Sequence, residues 1–330
     1  MAGQGKQRVG VSWIRATAVG LAAALAGMLG AGTGSAQASD PPQPGQVLTC
    51  VHPFEASHPV VTGFLAPWAH GVTVDTGRAL VVELRAATVA DDAVCRVAAV
   101  SGPMGEAFAL PFVAQQGSQR ASVAAWRAYS DADIAALSAP EPGRAEMHLA
   151  LFVDGPGVLA IRDRSMQPLP GSLLGVEAES PSPDVARILE AVGATMRPPT
   201  ASGTPAGRVA PLSAARDVEW LVVVGAEQSL YSEAYALSLS QAYVDELNAA
   251  TRAALLHNRG LSLSKAAGRA IDRISAVTIE ALEGAERIVP LGEDAVGQLL
   301  KKGAAIQAAW ATTEERQRLL DALAGGSASP

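Results

Sequence analysis

The first 38 residues place this chain across a membrane before it folds. They contain no acid, and Lys6, Arg8 and Arg15 give them a positive head. Ala16–Leu29 is almost wholly apolar, and Ala36-Gln37-Ala38 supplies a small-x-small exit before Ser39. A charged head, a short apolar run and a small-residue exit together are the secretory pattern. The run of 14 residues is short of the roughly 20 that a spanning helix needs. Residues 1–38 therefore read as a signal peptide for the Sec route. The mature chain is expected to be periplasmic or secreted, with no stable membrane span after cleavage. An oxidising compartment makes a disulfide the default for the only two cysteines, Cys50 and Cys95. Closing that loop stabilises a fold by about 4 kcal/mol in the chain-entropy view.

Charge narrows the partners. Removing the three leader cations from 25 Lys and Arg leaves 22, against 32 Asp and Glu, a net charge of −10. Such acidity disfavours nucleic acid and anionic lipid surfaces, which both need a basic patch. With aromatic residues at only 4%, the core must be built from Val, Leu, Ile and Ala.

Hydrophobic periodicity divides the mature chain. Ser39–Gln46 is a Pro-rich lead-in. Residues 47–196 read as a β-rich domain with a terminal helix. Val72–Val74 and Leu80–Leu84 flank Asp75-Thr76-Gly77-Arg78 as a hairpin would. Val94–Val100 and Phe108–Val113 are further strand candidates. Ser130 or Asp131 is placed to cap a short helix ending at Leu137. His148–Val153 and Val158–Ile161, around Asp154-Gly155-Pro156-Gly157, give the clearest hairpin pattern. Strands at short intervals with turn signals between them suggest an antiparallel sandwich or barrel. Val185, Ile188, Leu189 and Val192 then form a helical stripe, with Ser182 as cap and Pro183 at the first helical position.

Residues 197–211 are rich in Pro, Gly, Ser and Ala without periodicity, and read as a linker. Glu219–Val224 is a short apolar run. Beyond it, residues 212–330 read as a helical, bundle-like domain, with three stripes running from Leu230 to Trp310. Thr312 and Glu315 form a capping-box pattern before a last helix carrying Leu319, Leu320 and Leu323. The expected class is thus α+β: an N-terminal β-rich domain followed by a C-terminal helical one.

Three clusters carry a hint of chemistry. Asp75-Thr76-Gly77 resembles the Asp-Thr-Gly turn of aspartic proteases, in which two carboxylates share a proton and activate water. Leu173-Leu174-Gly175 is similar to the hydrophobic-hydrophobic-Gly segment of the one-lobed branch of that family. Only one Asp-Thr-Gly is present, so the resemblance implies a homodimer, and Arg78 stands where the family has Ala or Ser. Ser262-Leu263-Ser264-Lys265 resembles the Ser-x-x-Lys nucleophile motif of penicillin-recognising enzymes, where Lys265 would assist Ser262. The partner motifs of that family are missing. His52, His58 and His70, with Glu55 or Asp75, are the candidate metal ligands, although no two of the histidines share the i, i+4 spacing of a helix face.

No nucleotide fingerprint, P-loop, His-Glu-x-x-His or nucleophile-elbow pattern occurs, and no cofactor is expected. The function expected from the sequence is non-catalytic binding or envelope assembly by an exported protein, with another envelope or secreted protein as partner. An extracytoplasmic hydrolase using Asp75, or Ser262 with Lys265, is the rival reading, and metal binding is the third.

Overall fold

The computed structural model describes residues 45–324, except 87–92, 115–116, 132–144, 163–172, 174–175, 181, 198–206, 215–220, 225–228 and 290–291. The leader, most of the Pro-rich lead-in, Leu174, Gly175 and the helix expected to end at Leu137 lie outside the described residues.

Two five-stranded sheets organise the chain. In the first, β1 (Gln46–His52) pairs in parallel with β2 (Leu80–Ala86) on one side and with β3 (Cys95–Ala99) on the other. A π-helical turn at Val61–Leu65 and α1 (Ala66–Asp75) make the crossover from β1 to β2. After α2 (Gly102–Ala109) and α3 (Ser118–Ser130), β4 (Glu146–Asp154) forms the far edge of this sheet. The chain then passes to the second sheet through Gly155 and a cis Pro156.

That second sheet contains β5 (Gly157–Ile161), β6 (Glu177–Glu179), β7 (Thr195–Arg197), β8 (Gly207–Pro211) and β9 (Leu221–Val224), in the order β7-β6-β8-β5-β9. α4 (Pro183–Glu190) links β6 to β7. The chain then returns to the first sheet as β10 (Glu233–Ser240), inserted between β3 and β4 and antiparallel to both. α5 (Gln241–Glu246), α6 (Ala249–His257), α7 (Leu261–Gly284), α8 (Glu293–Trp310) and α9 (Glu314–Ala324) complete the described chain.

The molecule is mixed α/β, so the coarse expectation of helices and sheets together holds. The finer one, a β-rich half followed by a helical half, is corrected. Three helices interrupt the first hundred described residues, and β10 comes from the stretch read as helix. Val72–Val74 belong to α1, where Trp68, Ala69 and Val72 share a buried face. Phe108 closes α2, and Pro111 and Phe112 lie in the turn after it. β4 and β5 are consecutive but belong to different sheets, so the apparent hairpin at residues 154–157 is a crossing. Ser182 does cap α4, its Oγ accepting from the Val185 amide at 3.4 Å, with Pro183 at the first position.

Both faces of the first sheet are covered. Leu48, Val97, Leu237 and Leu239 pack against Phe64, Leu65, Trp68 and Val72 on one side. Leu151, Val153, Ala234 and Ala236 pack against Met104, Phe108, Ala124 and Leu319 on the other. Burying each large apolar side chain contributes about 1.5–3 kcal/mol, so this sheet carries much of the stability. Leu159, Ile161 and Val209 of the second sheet pack on Ile188 and Leu189 of α4 and Leu299 of α8. α7 touches both layers: Ala267 and Ile271 lie in the first core, and Leu282 packs with Val158 and Leu212. Cys50 and Cys95 are register partners on β1 and β3, with Cα atoms 4.5 Å apart, and form a disulfide.

Candidate functional site

A cavity of about 530 Å³ lies between the end of the first sheet and α4, the helix carried by the second. Its floor is the carboxyl end of β3, at Ala99 and Val100, beside the start of β10, at Ser232–Ala234. α2 forms one wall. The amino end of α4, with Ser182 and Asp184, brings in the second sheet's layer, and Trp310 at the end of α8 closes a side. Strand carboxyl ends facing helix amino ends are where α/β folds place ligands, because backbone groups there are not used up in the ladder. The volume lies within the range that holds a small organic molecule.

Local chemistry explains the shape. Gly105 lets α2 lie against the end of β3: a Cβ at this position would stand 1.9 Å from the Val100 carbonyl oxygen. Any larger residue would push α2, and Glu106 with it, off the strand. Ser182 Oγ donates to the Ala109 carbonyl oxygen at 3.3 Å, tying α4 to α2 across the cavity. Trp310 is held by its Nε1, which donates to Glu106 Oε2 at 3.0 Å. Arg316 lies 3.5 Å from the same carboxylate, with its guanidinium carbon 4.8 Å from the Trp310 ring centroid.

The charged residues lining the cavity are acidic: Glu106, Asp184 and Glu233. Among the described residues, no Lys, Arg or His lines it. Glu233 Oε2 accepts from Tyr235 Oη at 2.5 Å. Burial, followed by the negative charges of Glu233 and Asp154, holds the Tyr231 phenol well above its ordinary range. Tyr235 is shifted the same way, by burial first and then by Glu233. Tyr231 also lines the cavity, and its Oη has no hydrogen-bond partner among the described residues.

The residues singled out from the sequence lie elsewhere. Asp75 is exposed at the end of α1 and accepts from Asn258 Nδ2 at 2.8 Å. Gly77 and Arg78 follow with φ of 58° and 66°, so the Asp-Thr-Gly triplet is the exit of α1, turned by two residues in the left-handed region, and not the turn of a hairpin. Ser262 and Lys265 are exposed in the first turns of α7. The serine between them, Ser264, is the buried one, its Oγ accepting from the Leu151 amide at 3.0 Å. His52 is buried at the end of β1, and burial lowers its pKa. His58 stacks on Phe54 at 4.6 Å, and its Nδ1 accepts from the Val60 amide at 3.3 Å. His70 is exposed on α1. Among the described residues, no three His, Cys, Asp or Glu side chains cluster closely enough to hold a metal ion. The cavity residues Glu106, Asp184, Tyr231, Glu233 and Trp310 come from four separate segments, so no fixed spacing along the chain joins them. Only Ser182 and Trp310 carried a local signal, as a cap and as part of a helical stripe.

No protein-family model matches the sequence, and no curated protein is similar to it in sequence. Solved structures share its fold. One is a TRAP solute-binding protein from a marine metagenome, specific for aromatic acid ligands and holding 3-hydroxybenzoate. It is 19% identical with a TM-score of 0.69, over 86% of this chain and 98% of that one. A TRAP periplasmic solute-binding protein from Bordetella bronchiseptica, with (R)- and (S)-mandelate bound, is 20% identical with a TM-score of 0.69, over 85% of this chain and 98% of that one. A sugar-acid-binding protein from Advenella mimigardefordensis, in complex with galactonate, is 12% identical with a TM-score of 0.64, over 86% of this chain and 99% of that one. The fold is therefore that of the TRAP periplasmic solute-binding proteins.

This corrects the expectation that the partner is another envelope or secreted protein. Proteins of this fold are described with small acids bound. The feature found here is likewise a concave, solute-sized cavity, whereas a protein partner is met across a broad patch of about 800 Å² on each side.

Proposed function

We propose that this chain is an exported, periplasmic, non-catalytic binding protein that captures a small solute between its two sheets. The observation that carries the reading is the cavity of about 530 Å³, bounded by the carboxyl end of β3 and the amino end of α4, in a fold whose solved examples hold solutes. The leader, residues 1–38, supports the location, with Sec export and cleavage before Ser39. None of the described helices is long and apolar enough to cross a membrane.

The architecture supports capture by closure. The chain crosses from sheet to sheet at residues 154–157 and returns ahead of β10, so relative movement of the two layers would be taken up at these crossings and along α7, which touches both, as in hinged binding proteins. Solute contacts with both α2 and α4 favour the closed arrangement by the difference in affinity between the two states.

The test is calorimetric titration of the mature chain with small acids, alcohols and amines, beside the Ala109→Trp variant, which fills the cavity from α2. The expected result is micromolar or tighter binding of at least one solute, lost in the variant while its circular dichroism is unchanged. Absence of binding across the panel overturns the reading.

A further inference from the structure

The solutes held by the similar structures named above are acids, but the cavity of this chain is lined for the opposite charge. We propose that it takes a small organic cation, an ammonium on a skeleton of about one ring, and not a carboxylate; this rests on the solute-binding reading above.

Three carboxylates line the cavity, and among the described residues no cation does. Two of the three have a cation behind them. Arg187 pairs with Asp184 at 2.5 Å, and Arg316 with Glu106 at 3.5 Å. Neither arginine lines the cavity. Glu233 differs: its hydrogen-bond partner is the Tyr235 hydroxyl, and no cation stands within ion-pair distance among the described residues. It is half-buried, so water screens it only in part. A buried or half-buried charge without a counter-ion is costly, and a bound ammonium would neutralise it.

The feature that favours an anion is already satisfied. The amino end of α4 opens on the cavity, and helix amino ends attract negative charge. Here Ser182 Oγ caps the Val185 amide, and Asp184 places a carboxylate in the first turn. An incoming carboxylate would meet Asp184 first. The aromatic lining also suits a cation. Trp310 already carries a guanidinium near its ring, and Tyr231, two residues before Glu233, also lines the cavity.

The experiment uses matched solutes that share a skeleton and differ in charge: benzylamine, benzyl alcohol and benzoate, and galactosamine, galactose and galactonate. Each is titrated calorimetrically into the mature chain at two salt concentrations. The expected result is that, on at least one skeleton, the amine binds at least tenfold more tightly than the alcohol or the acid, and that raising the salt weakens it. Glu233→Gln should reduce that preference about tenfold, and Glu106→Gln, at an exposed position, serves if the first variant fails to fold. A carboxylate or an uncharged solute binding as tightly as its amine partner on every skeleton that binds overturns the charge assignment and leaves solute binding standing. No binding by any of the six overturns both.

Discussion

Asp272, midway along α7, caps α3. Its Oδ1 accepts from the Ser118 amide at 2.6 Å, and its Oδ2 from the Gln119 amide at 2.9 Å. The residue before α3 is Gly117, which has no side chain to cap the helix, so the carboxylate comes from another helix more than 150 positions away. Asp272→Ala leaves two helix-end donors without that partner and should cost about 2 kcal/mol. Asp272→Asn, which keeps one acceptor, should cost about half of that. Urea midpoints with unchanged slopes would establish both values.

The same helix pair meets at Gly268. A Cβ there would lie 2.5 Å from Gln119 Cα and from the Ser118 carbonyl oxygen, both backbone atoms that cannot swing aside. Gly268→Ala should therefore destabilise by about 3 kcal/mol, as overpacking does. Gly297, exposed within α8 with nothing within 4 Å of its Cβ position, is the control. Gly297→Ala should stabilise by about 0.5–1 kcal/mol through helix propensity. Opposite shifts in thermal midpoint for the two variants test the packing directly.

His148 gives the fold an acid limit. It is buried on β4, its Nδ1 2.8 Å from Ser238 Oγ. Burial lowers its pKa below 6.5, and nearby Arg96 adds to that while Glu146 opposes it. The unfolded chain therefore binds a proton that the folded chain resists as the pH falls below 6.5. Stability from neutral burial is fully present above 6.5 and declines as the pH falls towards the folded pKa. His52 acts in the same direction. Urea midpoints at pH 7.5 and 5.5 should fall for the natural chain and fall less for His148→Gln.

The Cys50–Cys95 bond joins β1 to β3, neighbours in the first sheet whose pairing in register spans only two residue pairs. Reduction, or the paired change to Ala, should destabilise by about 4 kcal/mol for a loop of 45 positions. Thermal unfolding with and without reductant measures it. A loss near zero would mean that the ladder and the two cores hold this edge unaided.

Legibility in the sequence followed the number of faces an element buries. α4 and α7 each present one apolar stripe to a core, so their period, and the Ser182 cap, were readable. β10 buries both faces: Leu237 and Leu239 lie in one core and Ala234 and Ala236 in the other. Leu230, Ala234 and Leu237 fall at helical spacing while Leu237 and Leu239 alternate with serines, so the stretch fits a helix as well as a strand and the sequence alone favours the helix. α1 departs from its local signal for a related reason: Val72, Thr73 and Val74 carry strand propensity that tertiary packing overrides. Asp154-Gly155-Pro156-Gly157 is turn chemistry in either setting, and whether the chain doubles back or moves to a new sheet depends on partners far along it.

The sequence by itself determined the leader pattern, the acidic balance, the cysteine pair and the single-faced helices, because each is written in neighbouring residues or in bulk composition. The two-sheet topology and the cavity were decided only in three dimensions. Glu106, Asp184, Glu233 and Trp310 line one space because β10 returns to the first sheet and α4 is carried by the second. That meeting arises from long-range strand pairing and core packing, which leave no mark at any fixed spacing along the chain.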